Sequence, residues 1–136
     1  KVTEWFDFYT NASVMNSEVN VKGVKRQLQG QSNYVLNGGV NIHKKKNTLN
    51  ITYNRVGDRI SAIGFQGYPD IFENSRDVLD VTLLHKLNKG EIKLAIGDAF
   101  GQPSIYYQKL QNRNLIKTNN EQTISLTLNL NLWKNY

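Results

Sequence analysis

Cysteine is absent from all 136 residues, so the chain has neither a disulfide framework nor a thiolate metal site, and its stability must rest on hydrogen bonding and packing. Long apolar runs are absent too, and nothing approaches the roughly eighteen consecutive apolar residues that a membrane-crossing helix needs. Acidic residues are in deficit, eleven against seventeen Lys and Arg, for a net charge of +6. Such a balance suits phosphates or anionic lipid when the basic residues cluster. Here Lys44, Lys45 and Lys46 share one turn-like segment, Lys22, Lys25 and Arg26 share one loop-like segment, and the others are scattered. That is the distribution of solvated turns, and no nucleic-acid partner is expected. The opening residues carry no basic stretch ahead of an apolar one, so either a signal has been removed or the natural start lies far upstream. Histidine is limited to His43 and His85, far apart and without a carboxylate or histidine at ligand spacing, so no metal site is expected.

What the chain does have is alternation, while helical periodicity is hard to find. Ile124, Leu126, Leu128, Leu130 and Leu132 occupy every second position, with Ser125, Thr127, Asn129 and Asn131 between them. This is the two-residue period of a strand with one apolar and one polar face. Ile92, Leu94 and Ile96 alternate with Lys93, Ala95 and Gly97, and Leu79, Val81 and Leu83 alternate with Asp80 and Thr82. Asn88-Lys89-Gly90 joins those two runs and suits a tight hairpin in which positive φ is needed. Upstream, Leu49, Ile51 and Tyr53 alternate with Asn50, Thr52 and Asn54; Leu36, Val40 and Ile42 alternate with Asn37, Gly39 and Asn41; Lys44 to Asn47 connects them. A first strand is expected from about Trp5 to Ser17, with Phe6, Phe8, Ala12 and Val14 facing one way and Asp7, Asn11 and Ser13 the other. The expected fold is all-β, an antiparallel up-and-down meander of about six long strands.

The connections alternate in length: long at Glu18 to Ser32, short at Lys44 to Asn47, long at Gly64 to Arg76, short at Asn88 to Gly90, long at Asp98 to Glu121. Outer-membrane barrels follow this rule, because their periplasmic turns are short and their extracellular loops long. Several of the alternating runs approach the nine to eleven residues, roughly, that a tilted membrane-crossing strand requires. Aromatics gather near the proposed strand ends, among them Trp5, Tyr34, Phe65, Tyr68, Phe100 and Trp133, as an interfacial girdle requires. These features point to part of a transmembrane β-barrel.

Gln29-Gly30-Gln31-Ser32-Asn33-Tyr34-Val35-Leu36-Asn37, followed by Ile51-Thr52-Tyr53-Asn54-Arg55-Val56-Gly57-Asp58-Arg59-Ile60, resembles the final barrel strands of TonB-dependent outer-membrane receptors of the Bacteroidetes type. Tyr68-Pro69-Asp70-Ile71-Phe72-Glu73, Arg76-Asp77-Val78-Leu79-Asp80-Val81 and Ile105-Tyr106-Tyr107-Gln108 extend the resemblance in the same order over nearly the whole chain. It implies that residues 1–136 are the C-terminal portion of such a barrel, without its plug domain and earlier strands. The implied role is active nutrient uptake across the cell outer membrane. The implied partners are outer-membrane lipid, the rest of the barrel and its plug, TonB through the missing N-terminal part, and a surface lipoprotein lid in some members. The family's substrate ligands come largely from the plug and from variable loops, so they carry over to no position here. Such barrels commonly end on an aromatic read by the assembly machinery; here Trp133 or Tyr136 fills that place.

Catalytic patterns are lacking. Arg55, Asp58 and Arg59 crowd around Gly57, but Gly57 suits a bulge that resets the face alternation, and the charges are expected to pair with one another in a watery lumen. Asp77 and Asp80, three apart in a strand, point to opposite faces and cannot act as a carboxylate pair. Gly97-Asp98-Ala99-Phe100-Gly101 lacks the remaining glycine and the lysine of a phosphate loop, and no serine sits in a nucleophile elbow. Asn11-Ala12-Ser13 and Asn50-Ile51-Thr52 match the glycosylation sequon but fall within strands. No enzyme activity, cofactor or catalytic residue is expected. The competing architecture is a soluble antiparallel β-sandwich or barrel acting as a ligand-binding module, in which the apolar faces close on one another and the long loops carry the site.

Overall fold

A computed structural model of the chain describes residues 3–21, 23–109 and 113–131. The regular structure in them is β, and no helix is long and apolar enough to cross a membrane. Six strands form one sheet: β1 (Phe6–Val14), β4 (Tyr34–Lys44), β5 (Asn47–Val56), β8 (Arg76–Leu87), β9 (Gly90–Gly97) and β12 (Thr123–Leu130), hydrogen-bonded in that order. Every neighbouring pair is antiparallel. These are the strands that the alternation marks, although the first is shorter than the expected Trp5 to Ser17, and Leu132, Trp133 and Tyr136 lie outside the described residues.

The register explains why these residues pair as they do. Phe8, Val40, Ile51, Val81, Ile96 and Ile124 stand opposite one another in turn, forming one row across the sheet. Phe6, Ile42, Leu49, Leu83, Leu94 and Leu126 form a second row on the same face. Between them, on the opposite face, runs Asp7, Asn41, Asn50, Thr82, Ala95 and Ser125. A one-residue slip of any strand would interleave the two sets, so the pattern itself fixes the register. Cross-strand side-chain bonds reinforce the polar rows: Asn50 Nδ2 donates to Asn41 Oδ1 at 2.6 Å, and the hydroxyls of Tyr9 and Thr52 lie 3.2 Å apart.

The other six strands correct the expected count of about six, giving twelve strands in three sheets. All but β6 (Arg59–Ala62) lie in the connections expected to be long, and β6 precedes the expected Gly64 to Arg76 connection. β2 (Val19–Val21) and β3 (Val24–Arg26) make a small hairpin. β6 (Arg59–Ala62), β7 (Ile71–Glu73), β10 (Ser104–Gln108) and β11 (Arg113–Thr118) make a four-stranded sheet in the order β11-β10-β7-β6. β5 runs into β6 across Gly57 and Asp58, and β7 runs into β8 across Asn74 and Ser75, so this sheet lies beyond one end of the larger one. The connections expected to be short are two-residue turns, Lys45-Lys46 and Asn88-Lys89, at the opposite end.

Strand-to-strand contacts fall almost entirely between ladder neighbours, so the described strands pack no second layer against one another. Ile60 is the one buried hydrophobic residue among the described residues, at 3% exposure. The apolar rows stand open, with Phe8, Leu83, Leu94, Ile124 and Leu126 all exposed. No closed barrel forms among the described residues: β1 pairs only with β4 and β12 only with β9.

Candidate functional site

The site is the larger sheet itself with the charged fringe at its long-loop end. Its apolar face has no protein against it. Along β12 the apolar positions Ile124 to Leu130 cover six residue steps, about 20 Å at roughly 3.3 Å per residue. The opposite face presents Asn, Thr, Ser, Asp and Lys side chains whose hydrogen bonds run mostly between strands.

At the long-loop end every charge expected to matter has found a partner, though not the expected one. Arg55, Asp58 and Arg59 do not pair with one another. Arg55 Nη1 donates to both carboxylate oxygens of Asp77 at 2.8 Å, because β5 and β8 place these residues directly opposite. Arg55 Nε donates to the Tyr34 hydroxyl at 3.2 Å, and the Tyr53 hydroxyl donates to Asp77. Arg59 Nε donates to Glu73 Oε2 at 2.8 Å across β6 and β7. Asp58 lies 3.5 Å from Lys109 Nζ, which itself stands 4.2 Å over the Phe72 ring. Gly57 is glycine for packing: a Cβ there would lie 2.7 Å from Tyr34 Cε1 and 2.8 Å from Ser32 Oγ. Gly90 has a similar reason, since a Cβ there would meet the Asn129 carbonyl at 2.1 Å, and its φ of +153° suits glycine.

Asp77 and Asp80 do lie on opposite faces. Asp80 Oδ1 accepts from the Asp98 backbone N–H at 2.9 Å, and Asp98, buried with φ 49°, binds the Arg76 guanidinium. The Gly97 to Gly101 segment is therefore an ion-paired bend. His43 Nε2 lies 3.4 Å from Asp7 Oδ2, a partner that strand pairing supplies and sequence spacing conceals. Sequence reasoning also missed Arg26 and Asp70. Asp70 Oδ1 accepts from Arg26 Nη1 at 3.2 Å and from Gly64 N–H at 2.7 Å, tying the β2–β3 hairpin to the turn before β7. The shared phase of the β5 and β8 alternation, which puts Arg55 and Asp77 on one face, was the signal that could have brought them together; nothing in the sequence points to Arg26 with Asp70.

Tyr107 on β10 is the titratable group most altered outside the larger sheet. Burial pushes its pKa up, and the Asp58 carboxylate, 3.5 Å from its hydroxyl, pushes the same way. On the polar face, Asn54, Arg59, Glu73, Asn74 and Arg76 line a pocket of about 190 Å³ where the two sheets meet. Among the described residues no three His, Asp or Glu side chains converge as a metal cluster. In comparisons with known proteins, no family, no curated protein and no solved structure matches the chain.

Proposed function

We propose that this chain is wall from an outer-membrane transport barrel, the C-terminal portion of a TonB-dependent receptor whose earlier strands and plug domain complete the pore. Its role is to hold the lipid boundary on one face and line the lumen on the other, without enzymatic chemistry. One observation carries this reading: two unbroken apolar rows, each crossing all six strands of the larger sheet, on a face with no protein layer against it. A soluble monomer rarely leaves so large an apolar patch to water. A sandwich needs a second layer over such a face, and the described residues supply none. Lipid satisfies it instead, and the outward apolar, inward polar alternation is what a barrel wall requires.

The open edges of β1 and β12 support the same reading, since unpaired ladder groups within a bilayer must meet further strands. The strand resemblance narrows the transport class to TonB-dependent receptors, with TonB and a surface lipoprotein as partners of the parent protein. The reading puts the two-residue turns in the periplasm and the four-stranded sheet outside. A cysteine replacing Gln66 in the full-length parent should react with an impermeant thiol reagent on intact cells, and one replacing Lys89 should not. The reverse pattern would overturn the topology, and reaction at neither or both would overturn the membrane assignment.

A further inference from the structure

Arginine is confined to one end of the strands, whereas lysine occurs at both. All five arginines belong to the long-loop half, and four of them, Arg26, Arg55, Arg59 and Arg76, are held by carboxylates. The opposite end carries lysine alone. Lys44, Lys45 and Lys46 surround the first two-residue turn, and Lys86 and Lys89 flank the second. The pairing of β5 with β8 sets these turns side by side: Lys86 N–H donates to the Lys46 carbonyl at 2.8 Å, and Lys46 Nζ donates to Asn88 Oδ1 at 2.6 Å. All five lysines are exposed, and among the described residues none is paired with a carboxylate. Of the described acids near this end, Asp7 is engaged by His43, Glu91 stands opposite Lys86 but accepts from Asn129, and Glu4 has no side-chain partner among the described residues.

We infer that this rim docks the phosphodiester headgroups of anionic glycerophospholipids in the adjacent leaflet, an inference that rests on the membrane reading above. Depth supports it. Asn47 lies two residues from Leu49 and Lys86 three from Leu83, both in the last complete apolar row, which is about 7–10 Å along the strand. That is within reach of the headgroup layer for a lysine whose apolar stem lies along the hydrocarbon boundary and whose ammonium points outward. Trp5 marks the same level: its carbonyl accepts from His43 N–H at 2.7 Å, and the residue is 58% exposed, its ring beside that of Phe6. An exposed tryptophan followed by unpaired lysines is the order expected on crossing from hydrocarbon to an anionic surface.

The test uses the full-length parent in vesicles of phosphatidylcholine alone, of phosphatidylcholine with phosphatidylglycerol, and of phosphatidylcholine with lipopolysaccharide. Lipids retained on the extracted barrel are identified by native mass spectrometry. Wild type should retain phosphatidylglycerol over phosphatidylcholine, and the preference should weaken as salt rises. Replacing Lys44, Lys45, Lys46, Lys86 and Lys89 with Gln should reduce that preference on the order of a hundredfold, each lysine near an anionic surface being worth about fivefold and the effects less than multiplicative. The variant should still insert into phosphatidylcholine alone. A preference unchanged by the substitutions would overturn the docking rim, as would a loss of lipopolysaccharide retention in its place. Failure of wild type to enter any of the vesicles would instead remove the membrane reading on which the rim rests.

Discussion

The decisive perturbation is an arginine placed on each face of β12 in turn. Leu126 is 74% exposed to whatever surrounds the sheet, and its register partner Leu94 covers only part of it. Complete burial of a leucine contributes about 1.5–3 kcal/mol. Three-quarters of that, about 1–2 kcal/mol, is left for lipid to supply on the membrane reading proposed above. Leu126→Arg forfeits this gain and places a cation in hydrocarbon between the rim and the bilayer midplane, where the two effects together should cost about 1–3 kcal/mol. Thr127→Arg, one residue along and on the polar face, should cost less than about 1 kcal/mol, since lumen positions tolerate charge. If the face were merely wet, both changes would be ordinary surface substitutions within about 0.5 kcal/mol of neutral. Urea unfolding of the full-length parent in phosphatidylcholine vesicles, followed by tryptophan fluorescence, measures the difference. A near-neutral Leu126→Arg would refute lipid as the second layer, and a larger loss for Thr127→Arg than for Leu126→Arg would mean that the faces have been assigned backwards.

Three further outcomes follow from individual residues. Ile60→Ala removes the one buried apolar side chain described and should destabilise the outer sheet by about 2–5 kcal/mol, read as faster hydrogen exchange at the β6 and β7 amides while β5 and β8 stay protected. Gly64→Ala puts a Cβ 2.0 Å from the Tyr68 carbonyl, which cannot swing away as a side chain could, so the Phe65–Tyr68 turn should become the first site of limited proteolysis. Ultraviolet titration should find the Tyr107 phenol ionising above the ordinary tyrosine value of about 10. Because its folded pKa is raised, the stability it contributes is complete below the unfolded value and is lost as pH rises through the folded one. Asp58→Asn should move that midpoint down, and no movement would show that the carboxylate does not act on Tyr107.

The larger sheet was legible because its chemistry repeats at the strand's own period. Ile92, Leu94 and Ile96 cannot share a face except in a strand, and the two-residue connections at Lys45-Lys46 and Asn88-Lys89 leave antiparallel pairing as the only outcome. The outer sheet was illegible for the opposite reason. β6 and β7 are four and three residues long, too short for alternation to register, and Gly57, Gly64, Gly67 and Pro69 punctuate the segment as a loop. Its order comes from pairings remote in sequence: Gly30 N–H donates to the Ile60 carbonyl, Gln29 donates to the Ser61 carbonyl, and Phe72 meets Tyr107. Local composition records none of these.

The charged residues show the same division one level down. Arg55 and Asp58 are neighbours in sequence, which invites a local ion pair, yet strand geometry turns residues three apart to opposite faces while it sets Arg55 directly against Asp77 across the ladder. Arginine suits that position because its guanidinium serves two partners from separate nitrogens, Nη1 donating to the Asp77 carboxylate and Nε to the Tyr34 hydroxyl, which a single ammonium nitrogen is less suited to do. At the other end Glu91 stands opposite Lys86 but makes no ion pair with it, and among the described residues the compact, strongly hydrated lysines there are held by no carboxylate. Four of the five arginines thus have their counter-ions built into the fold, while the lysines of the two-residue turns do not. By the same logic the missing core is not a defect of the fold. A sheet whose rows are apolar on one side and hydrogen-bonded on the other is complete in register while incomplete in solvation, and on the reading proposed above a bilayer supplies what remains.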